Sequence, residues 1–445
     1  MRAPAESWPR AATAWWMVAL LFLAGICSVI DRAILNMVVD PVRHDLGIGD
    51  GAIGLLQGLA FGLFYAFMGM PMGLAADRVS RRNLLTGGIA LWSLATIGSG
   101  LAAGFGQLFA ARLLVGLGEA ALGPCAISLI SDLFAPDKRG RPISIYMMGQ
   151  SLAQGLGIAF TGIVLSAAAK GAFVHWPVLA GLAPWRTVFV ISGSLGLIVV
   201  LGMMTTREPV RRGLSPLAAH PGLGESAAWF WRNRAVLAPL YLGFGVCFIA
   251  AYGGAAWQPT MLMRGFGVSP QFVGAWLGPL SMLFSATGPL VGGWLLDRSM
   301  KAGKPMLRFR LLSFMPLLAL PSTLAVLAGD ARTAAFVVAT GNAIYAVCGT
   351  LMFATLQAIV PARMRGTSIA LTLVLNTLLG AASGPLLVAS VNGAVLHDPA
   401  KVGWAIALVA GPAVIVAAGL FNMGRIAMAR AAKQGDETAA LLGVV

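Results

Sequence analysis

Long apolar stretches separated by short polar breaks run through the whole chain. A hydrocarbon core about 30 Å thick needs roughly 20 apolar residues per helix. Twelve stretches reach that length, near residues 13–39, 51–76, 83–103, 107–135, 141–166, 186–206, 234–263, 271–296, 307–328, 333–360, 366–391 and 402–424. A transmembrane β-barrel would show short segments of alternating polarity instead, and continuous runs of this length exclude it. The pattern predicts an all-α, multi-pass membrane protein of twelve transmembrane helices.

Composition agrees, since 58% hydrophobic residues in a 445-residue chain exceed what a soluble core needs. The basic residues then set the orientation. Of 31 Lys and Arg, 23 lie in the two ends of the chain and in the breaks after spans 2, 4, 6, 8 and 10. Six (Arg43, Lys170, Arg186, Arg264, Arg332, Lys401) lie in the opposite breaks, and Arg32 and Arg112 lie inside spans. Cytoplasmic loops retain Lys and Arg, so both termini are expected in the cytoplasm, with a bacterial inner (plasma) membrane as the location. A net charge of +15 also suits a nucleic-acid binder, but that needs a basic face on a soluble module. Here the charge is spread over short loops and tails, and no nucleic-acid partner is expected.

The four cysteines, Cys27, Cys125, Cys247 and Cys348, sit in separate apolar segments without CxxC spacing, which suggests neither a disulfide framework nor a metal site. The basic start and apolar run of residues 1–30 match a signal peptide in outline, yet the run continues into a full-length span, so a retained first helix is expected. No nucleophile-and-base motif, GxSxG elbow or metal-spaced histidine set is present, which argues against an enzyme and against a cofactor.

The chain also repeats itself. Gly73-Leu-Ala-Ala-Asp77-Arg78-Val-Ser-Arg81-Arg82 follows the second span, and Gly293-Trp-Leu-Leu-Asp297-Arg298 follows the eighth, 220 residues later. Pro136-Asp-Lys-Arg139-Gly140 after the fourth span is echoed by Pro361-Ala-Arg-Met-Arg365-Gly366 after the tenth. Two similar halves are a common plan for transporters. The expected division is a six-helix bundle over 1–206, a cytoplasmic linker rich in Pro, Gly and Arg over 207–233, a second six-helix bundle over 234–424 and a cytoplasmic tail over 425–445. The Trp229-Phe230-Trp231-Arg232 end of the linker suits the membrane interface.

Residues 73–82 resemble the loop signature of the major facilitator superfamily, Gly-x-Leu-Ala-Asp-Arg-x-Gly-Arg-Arg, with Ala75 in place of Leu and Ser80 in place of Gly. Gly73 has no side chain and lets the second helix approach a neighbour closely, while Asp77 can accept from a helix N-terminus. The resemblance implies that this neighbour is the eleventh helix, beginning near Gly366. Arg78, Arg81 and Asp132, with Asp297 and Arg298 in the second copy, complete an expected cytoplasmic gate. Within the superfamily, residues 25–213 resemble the spinster-like transporters. The resemblance is carried by Asp31-Arg32, Gly49-Asp50, Gly54-Leu-Leu-Gln57, Arg112-Leu-Leu-Val-Gly116-Leu-Gly118-Glu119-Ala120, Ser131-Asp132-Leu133-Phe134, Arg207-Glu208-Pro209 and Arg212-Gly213. The Asp-Arg pair is shared with organic-anion symporters of the same superfamily.

Asp31, Arg32 and Glu119 are ionisable groups within spans, where each charge costs about 2.5–3.5 kcal/mol on insertion scales. At 1.5 Å per residue, Asp31 lies about 12 Å and Glu119 roughly 18 Å from the outer ends of their helices, within about a turn in depth. The resemblance implies that both helices line a central cavity, bringing Arg32 or Asp31 near Glu119. Burial and a neighbouring guanidinium act oppositely on a carboxyl's proton affinity, so such a set describes a proton-coupling site; the alternative is an ion pair that only fixes packing. Arg112, seven residues before Glu119, is available to hold Glu119 or an anionic substrate. All four histidines, His44, His175, His220 and His397, are expected in loops, which disfavours a histidine relay.

The second half has no comparable charge inside a span. Its polar inventory of Tyr252, Gln258, Asn342, Tyr345, Gln357 and Asn376, with Trp257 and Trp276, forms the expected remainder of the cavity wall, and Gly253-Gly254 is expected to break the seventh helix. A cavity charged on one side and mildly polar on the other suits a small amphipathic or anionic solute. The spinster resemblance implies a lysophospholipid-like or sphingoid-type substrate carried by a monomeric, proton-coupled, alternating-access carrier. The alternatives are a proton-coupled organic-anion symporter and a drug-type exporter; the Gly-Pro pair that marks the fifth helix of drug exporters is absent here.

Overall fold

The computed structural model describes residues 8–212, 223–301, 303 and 306–433, and among them every element is helical. His220 and most of the predicted tail lie outside the described residues. The first half comprises α1 (Ala11–Met37), a short α2 (Val39–Leu46), α3 (Asp50–Arg78), α4 (Arg81–Gly100), α5 (Phe105–Leu133), α6 (Gly140–Ala169) and α7 (Pro184–Met204). A short helix, α8 (Leu223–Arg232), precedes the second half: α9 (Arg234–Phe266), α10 (Pro270–Lys301), α11 (Leu307–Leu327), α12 (Ala331–Ile359), α13 (Arg365–Leu396) and α14 (Val402–Lys433). Eleven of these are long and apolar enough to cross a membrane. The remaining long helix, α4, has 20 residues, and Arg81, Arg82 and Asn83 at its start lower its hydropathy.

Several boundaries differ from the sequence expectation. The α8 segment, expected as linker, is helical, and α14 runs on to Lys433 because Ala-rich sequence propagates a helix past the point where charge enters. His44 falls within α2. The expected break at Gly253-Gly254 is absent: α9 is continuous there. A Cβ on Gly253 would meet the Gly384 carbonyl at 2.9 Å, so this glycine serves close packing against α13.

Helices α1, α6 and α7 pack on one another, as do α3, α4 and α5, and α9 packs on α13 and α14. Small residues bring the halves together along two seams. On α6, a Cβ at Gly155 would lie 2.3 Å from the Gly278 carbonyl of α10, and one at Gly162 would lie 2.7 Å from that of Pro270. On α3, a Cβ at Gly58 would lie 2.3 Å from the Ala382 carbonyl of α13. Both helices of that second seam carry a wide π turn where they meet, Leu55–Leu59 in α3 and Asn376–Ala382 in α13. Such turns are rare and collect at functional sites.

The two ends of the molecule differ. At the end away from the chain termini, one apolar core runs from the second half into the first through Ile34, Val38, Ile53 and Trp185. A separate core fills the terminus-side part of the first half around Met17, Leu21, Trp92 and Leu129. There α3 and α13 diverge: Phe67, Met70 and Leu74 of α3 and Leu371 and Leu373 of α13 are exposed.

Candidate functional site

Glu119 is fully buried near the middle of α5, where a short irregularity follows at Ala120-Ala121. Its Oε2 accepts from the Ser28 hydroxyl at 2.6 Å and from Arg32 Nη2 at 2.8 Å, and Arg32 also reaches Ser28 at 2.8 Å. Ser28 and Arg32 are one turn apart on α1, so a single helix face presents both to the carboxylate. The Arg32 guanidinium lies 4.7 Å over the Phe61 ring and 5.6 Å from that of Tyr65, which stack on each other one turn apart on α3. Glu119 Oε1 has no hydrogen-bond partner although it is buried.

Asp31 faces elsewhere, because successive residues point about 100° apart around a helix. Its carboxylate accepts from the Ser192 hydroxyl of α7 at 2.5 Å and the Thr96 hydroxyl of α4 at 3.0 Å. Arg112 of α5 donates to the backbone carbonyl of Asp31 at 3.2 Å and is 1% exposed. The three residues expected together are thus divided. Arg32 meets Glu119, whereas Asp31 and Arg112 tie α1, α4, α5 and α7 into a buried polar knot.

A cavity with an accessible volume of about 140 Å³ opens beside Arg32. Its polar lining is Arg32 and Asn36 of α1, Gln57 and Tyr65 of α3, Gln154 of α6, Tyr252 of α9 and Thr377 of α13. Of the residues expected in its wall, Tyr252 is present, and Asn376 stands behind it with Nδ2 3.4 Å from the tyrosine hydroxyl. The others are elsewhere. Gln258 and Asn342 pair their amides inside the second half at 3.1 and 3.4 Å, and Trp257 is buried with Nε1 on the Pro385 carbonyl at 3.0 Å. Tyr345 is buried, Gln357 is exposed near the end of α12, and Trp276 lies under Arg332. Arg112 does not reach the cavity. Gln57 was legible only as part of a motif, and Asn36 carried no signal beyond lying one turn from Arg32.

Beyond the cavity, away from the chain termini, an ion cluster joins the halves. Arg264 at the end of α9 binds Asp40 (2.6 Å) and Asp50 (2.9 Å), and Arg43 binds Asp50 at 3.0 Å. Asn392 of α13 donates to Asp50 at 3.0 Å, and Arg264 also reaches the Pro399 carbonyl at 3.0 Å. Burial works against the charge of Asp40, but the Arg264 hydrogen bonds and the Arg264 and Arg43 charges outweigh it and hold this carboxyl below its ordinary range. The signal that could have found this cluster is three acids, Asp40, Asp45 and Asp50, beside a scarce basic residue, Arg43, in the break after the first span.

At the terminus side, Arg81 anchors a network between the first half and the start of the linker. Arg81 pairs with Asp132, and its Nε reaches Glu208 at 2.8 Å. Glu208 also accepts from the Arg82 backbone N–H at 2.7 Å and the Ser80 hydroxyl at 2.9 Å, capping α4. Arg211 closes α3 by donating to the Ala76, Asp77 and Val79 carbonyls. The Asp77 side chain is exposed, Gly73 has nothing within 4 Å of a Cβ position, and the expected approach to the start of α13 is not made. Arg78, Asp297 and Arg298 are exposed, with Arg298 over the Trp294 ring. Among the described residues no group of His, Cys, Asp or Glu is arranged to hold a metal.

A sequence profile of the Major Facilitator Superfamily matches residues 21–385. The chain belongs to that superfamily. It is 28% identical over 388 residues to a protein of Mycolicibacterium smegmatis named MFS-type efflux pump, covering 86% of each chain. It is 27% identical over 397 residues to Protein spinster of Drosophila melanogaster, covering 86% of this chain and 62% of that one. The crystal structure of a bacterial homolog to the human lysosomal transporter spinster, inward-facing and unoccupied, superposes with a TM-score of 0.78 at 25% identity, covering 94% of this chain and 98% of that one. This facilitator-superfamily member is a transporter related to the spinster proteins, and not an enzyme.

Proposed function

We propose that the protein is a proton-coupled, alternating-access carrier of an amphipathic, lipid-like solute of lysophospholipid or sphingoid type. The observation that carries this reading is Glu119, wholly buried beside the cavity, with one oxygen holding Arg32 and the other unpartnered. A proton on Glu119 weakens its grip on Arg32 and frees that cation for an anionic group in the cavity; loss of the proton restores the pair and expels the group. Asp31, held by hydroxyls alone, is a second buried carboxyl able to take part.

The reading treats α4 as a twelfth span and divides the chain into six-helix bundles, 1–206 and 234–424, joined by a linker, 207–233, with both termini and the 425–445 tail in the cytoplasm of a bacterial cell. The cavity then faces inward, and the Asp40–Arg264–Asp50 cluster closes the outer side. In the opposite state Gly73 and Asp77 approach the start of α13, helped by Arg81–Asp132 and by Arg78, Asp297 and Arg298. A monomer suffices for this cycle. The M. smegmatis efflux pump favours a second reading, a drug-type exporter.

Purified protein in proteoliposomes with an internal pH-sensitive dye tests the proposal. Lysophospholipids or sphingoid phosphates should drive a proton signal that Glu119→Gln abolishes without loss of folded protein. Gradient-driven transport by Glu119→Gln would overturn the coupling role, and a response to cationic drugs alone would favour the exporter.

A further inference from the structure

The chemistry of the cavity wall narrows the head group that the proposed carrier takes, and this inference rests on that reading. Among the described residues Arg32 is the only charged one lining the cavity, and its side chain keeps 35% exposure. Only Nη2 of its guanidinium is engaged, by Glu119 and Ser28, while Nε has no partner. An anionic group therefore has a cation to meet, one face of which is already covered by Phe61.

The rest of the polar wall is neutral, and the buried atoms left without a partner in and behind it are acceptors. Gln57 Nε2 donates to Asn36 Oδ1 at 3.1 Å and to the Ala256 carbonyl at 3.2 Å. The Ala256 carbonyl, which can only accept, fixes which end of the amide is nitrogen. Gln57 Oε1 is then committed as an acceptor, and it is buried without a partner, as is Oδ1 of Asn376 behind Tyr252. An unmet buried acceptor favours whatever brings it a donor. Asn36 is one turn, about 6 Å along α1, from Arg32. Anion site and acceptor site are thus spaced like the phosphate and hydroxyls of one small head group.

Three ligand groups compete for the acceptor side. A quaternary ammonium has no N–H to give. A primary ammonium has donors, but it enters a site whose only charge is a guanidinium, since the Glu119 side chain is 0% exposed and already paired. A hydroxyl supplies the donor without charge. We infer that the cavity selects a singly anionic head group bearing neighbouring hydroxyls, a glycerol-phosphate or polyhydroxy-acid chemistry, over choline and ethanolamine head groups, and that Gln57 is the residue that discriminates.

This chemistry occurs both as a lipid head group and as a free solute, so the experiment carries both. Equilibrium binding to the full chain in nanodiscs is measured for lysophosphatidylglycerol, lysophosphatidylcholine and lysophosphatidylethanolamine of one acyl length, and for glycerol 3-phosphate and a hexonate. The glycerol lipid should bind about tenfold more tightly than the choline lipid, the worth of one well-made hydrogen bond. In Gln57→Leu the ratio should fall to about one, a change that general loss of fold does not produce. Gln57→Glu should move the preference toward ethanolamine. Binding of the free solutes with the same Gln57 dependence, without the lipids, supports the head-group assignment and removes the lipid from the proposed function. Equal or tighter binding of the choline lipid, a ratio unchanged in Gln57→Leu, or no binding of any polyhydroxy anion overturns the inference, and the choline lipid's own proton signal still reports on the carrier.

Discussion

Replacing Arg264 with Gln removes the central cation of the cluster that ties the halves together. Its side chain is 8% exposed and that of Asp50 is 7%, whereas that of Asp40 is 33%, so the Asp50 arm carries most of the strength. Removing one partner of a buried pair costs about 3–5 kcal/mol, because the other charge is left without compensation. Arg43 stays 3.0 Å from Asp50 and Asn392 still donates to it, which places the loss at the lower end, about 3 kcal/mol. That is on the order of a hundredfold in the ratio of closed to open molecules at this end. Spin labels at the exposed positions His44 and Ala400, one on each half, report the change as a long-distance population in double electron–electron resonance. Arg264→Lys, which keeps the charge but not the planar fork, should fall between the variant and the wild type. An unchanged distance distribution in Arg264→Gln would mean that apolar packing alone holds this end shut, and the reasoning would fail.

Three further outcomes follow from the same contacts. Asp40 is held below its ordinary range, so its contribution is complete above the value of an unfolded Asp and is lost only as pH falls through the lower folded value; the same label distances should therefore not change between about pH 5 and 8, and a shift in that window in Glu119→Gln would place a titrating group in the cluster. Gly58→Val puts a Cβ 2.3 Å from the Ala382 carbonyl, and overpacking of about 1–3 kcal/mol should populate the state in which α3 and α13 part at this end, read as faster alkylation of a cysteine placed at Asn36. Glu208→Ala strips the cap of α4 and a partner of Arg81, and should lower stability by about 1–2 kcal/mol, seen as a reduced Tm of the purified protein.

The long helices and the charges buried within them were legible because both follow from the cost of a polar group in hydrocarbon. The rotation of each helix was not. Asp31 and Arg32 are neighbours in sequence, and nothing in their spacing says which of them meets Glu119; packing of α1 against α4 and α7 settles it by giving Asp31 two hydroxyls. The second-half wall differs from the sequence expectation for a related reason. A polar residue inside a span suggests a cavity wall, but Gln258 and Asn342 satisfy each other, which meets the demand of a buried amide without any solute. The Asp40–Arg264 cluster is not legible in the sequence, because Arg43 and Arg264 read as topology signals and the pairing joins residues 224 apart. The π turns at Leu55–Leu59 and Asn376–Ala382 were not read from the sequence; they lie where Gly58 of α3 packs against the Ala382 carbonyl of α13.

One stripe running from α1 into α2 connects these parts. Arg32, Asn36 and Asp40 are four residues apart, and each holds a different layer of the molecule: Arg32 the Glu119 carboxylate, Asn36 the Gln57 amide and, through its carbonyl, the Thr260 hydroxyl at 3.5 Å, and Asp40 the Arg264 guanidinium. The first contact is internal to the first half, the second reaches α9 at the cavity, and the third joins the halves at their closed end. Release of Arg32 therefore leaves the stripe anchored at its far end, whereas movement of α9 away from α1 breaks the second and third contacts together. The helical run breaks at Val38, where α1 gives way to α2, between the second contact and the third, so the two layers can shift by different amounts without unwinding the helix that carries Arg32. In the proposed carrier cycle this arrangement would let a proton reach the buried pair while the end of the molecule beyond it stays shut, and would require a further displacement, such as a solute drawing on the free acceptor of Gln57, before that end opens.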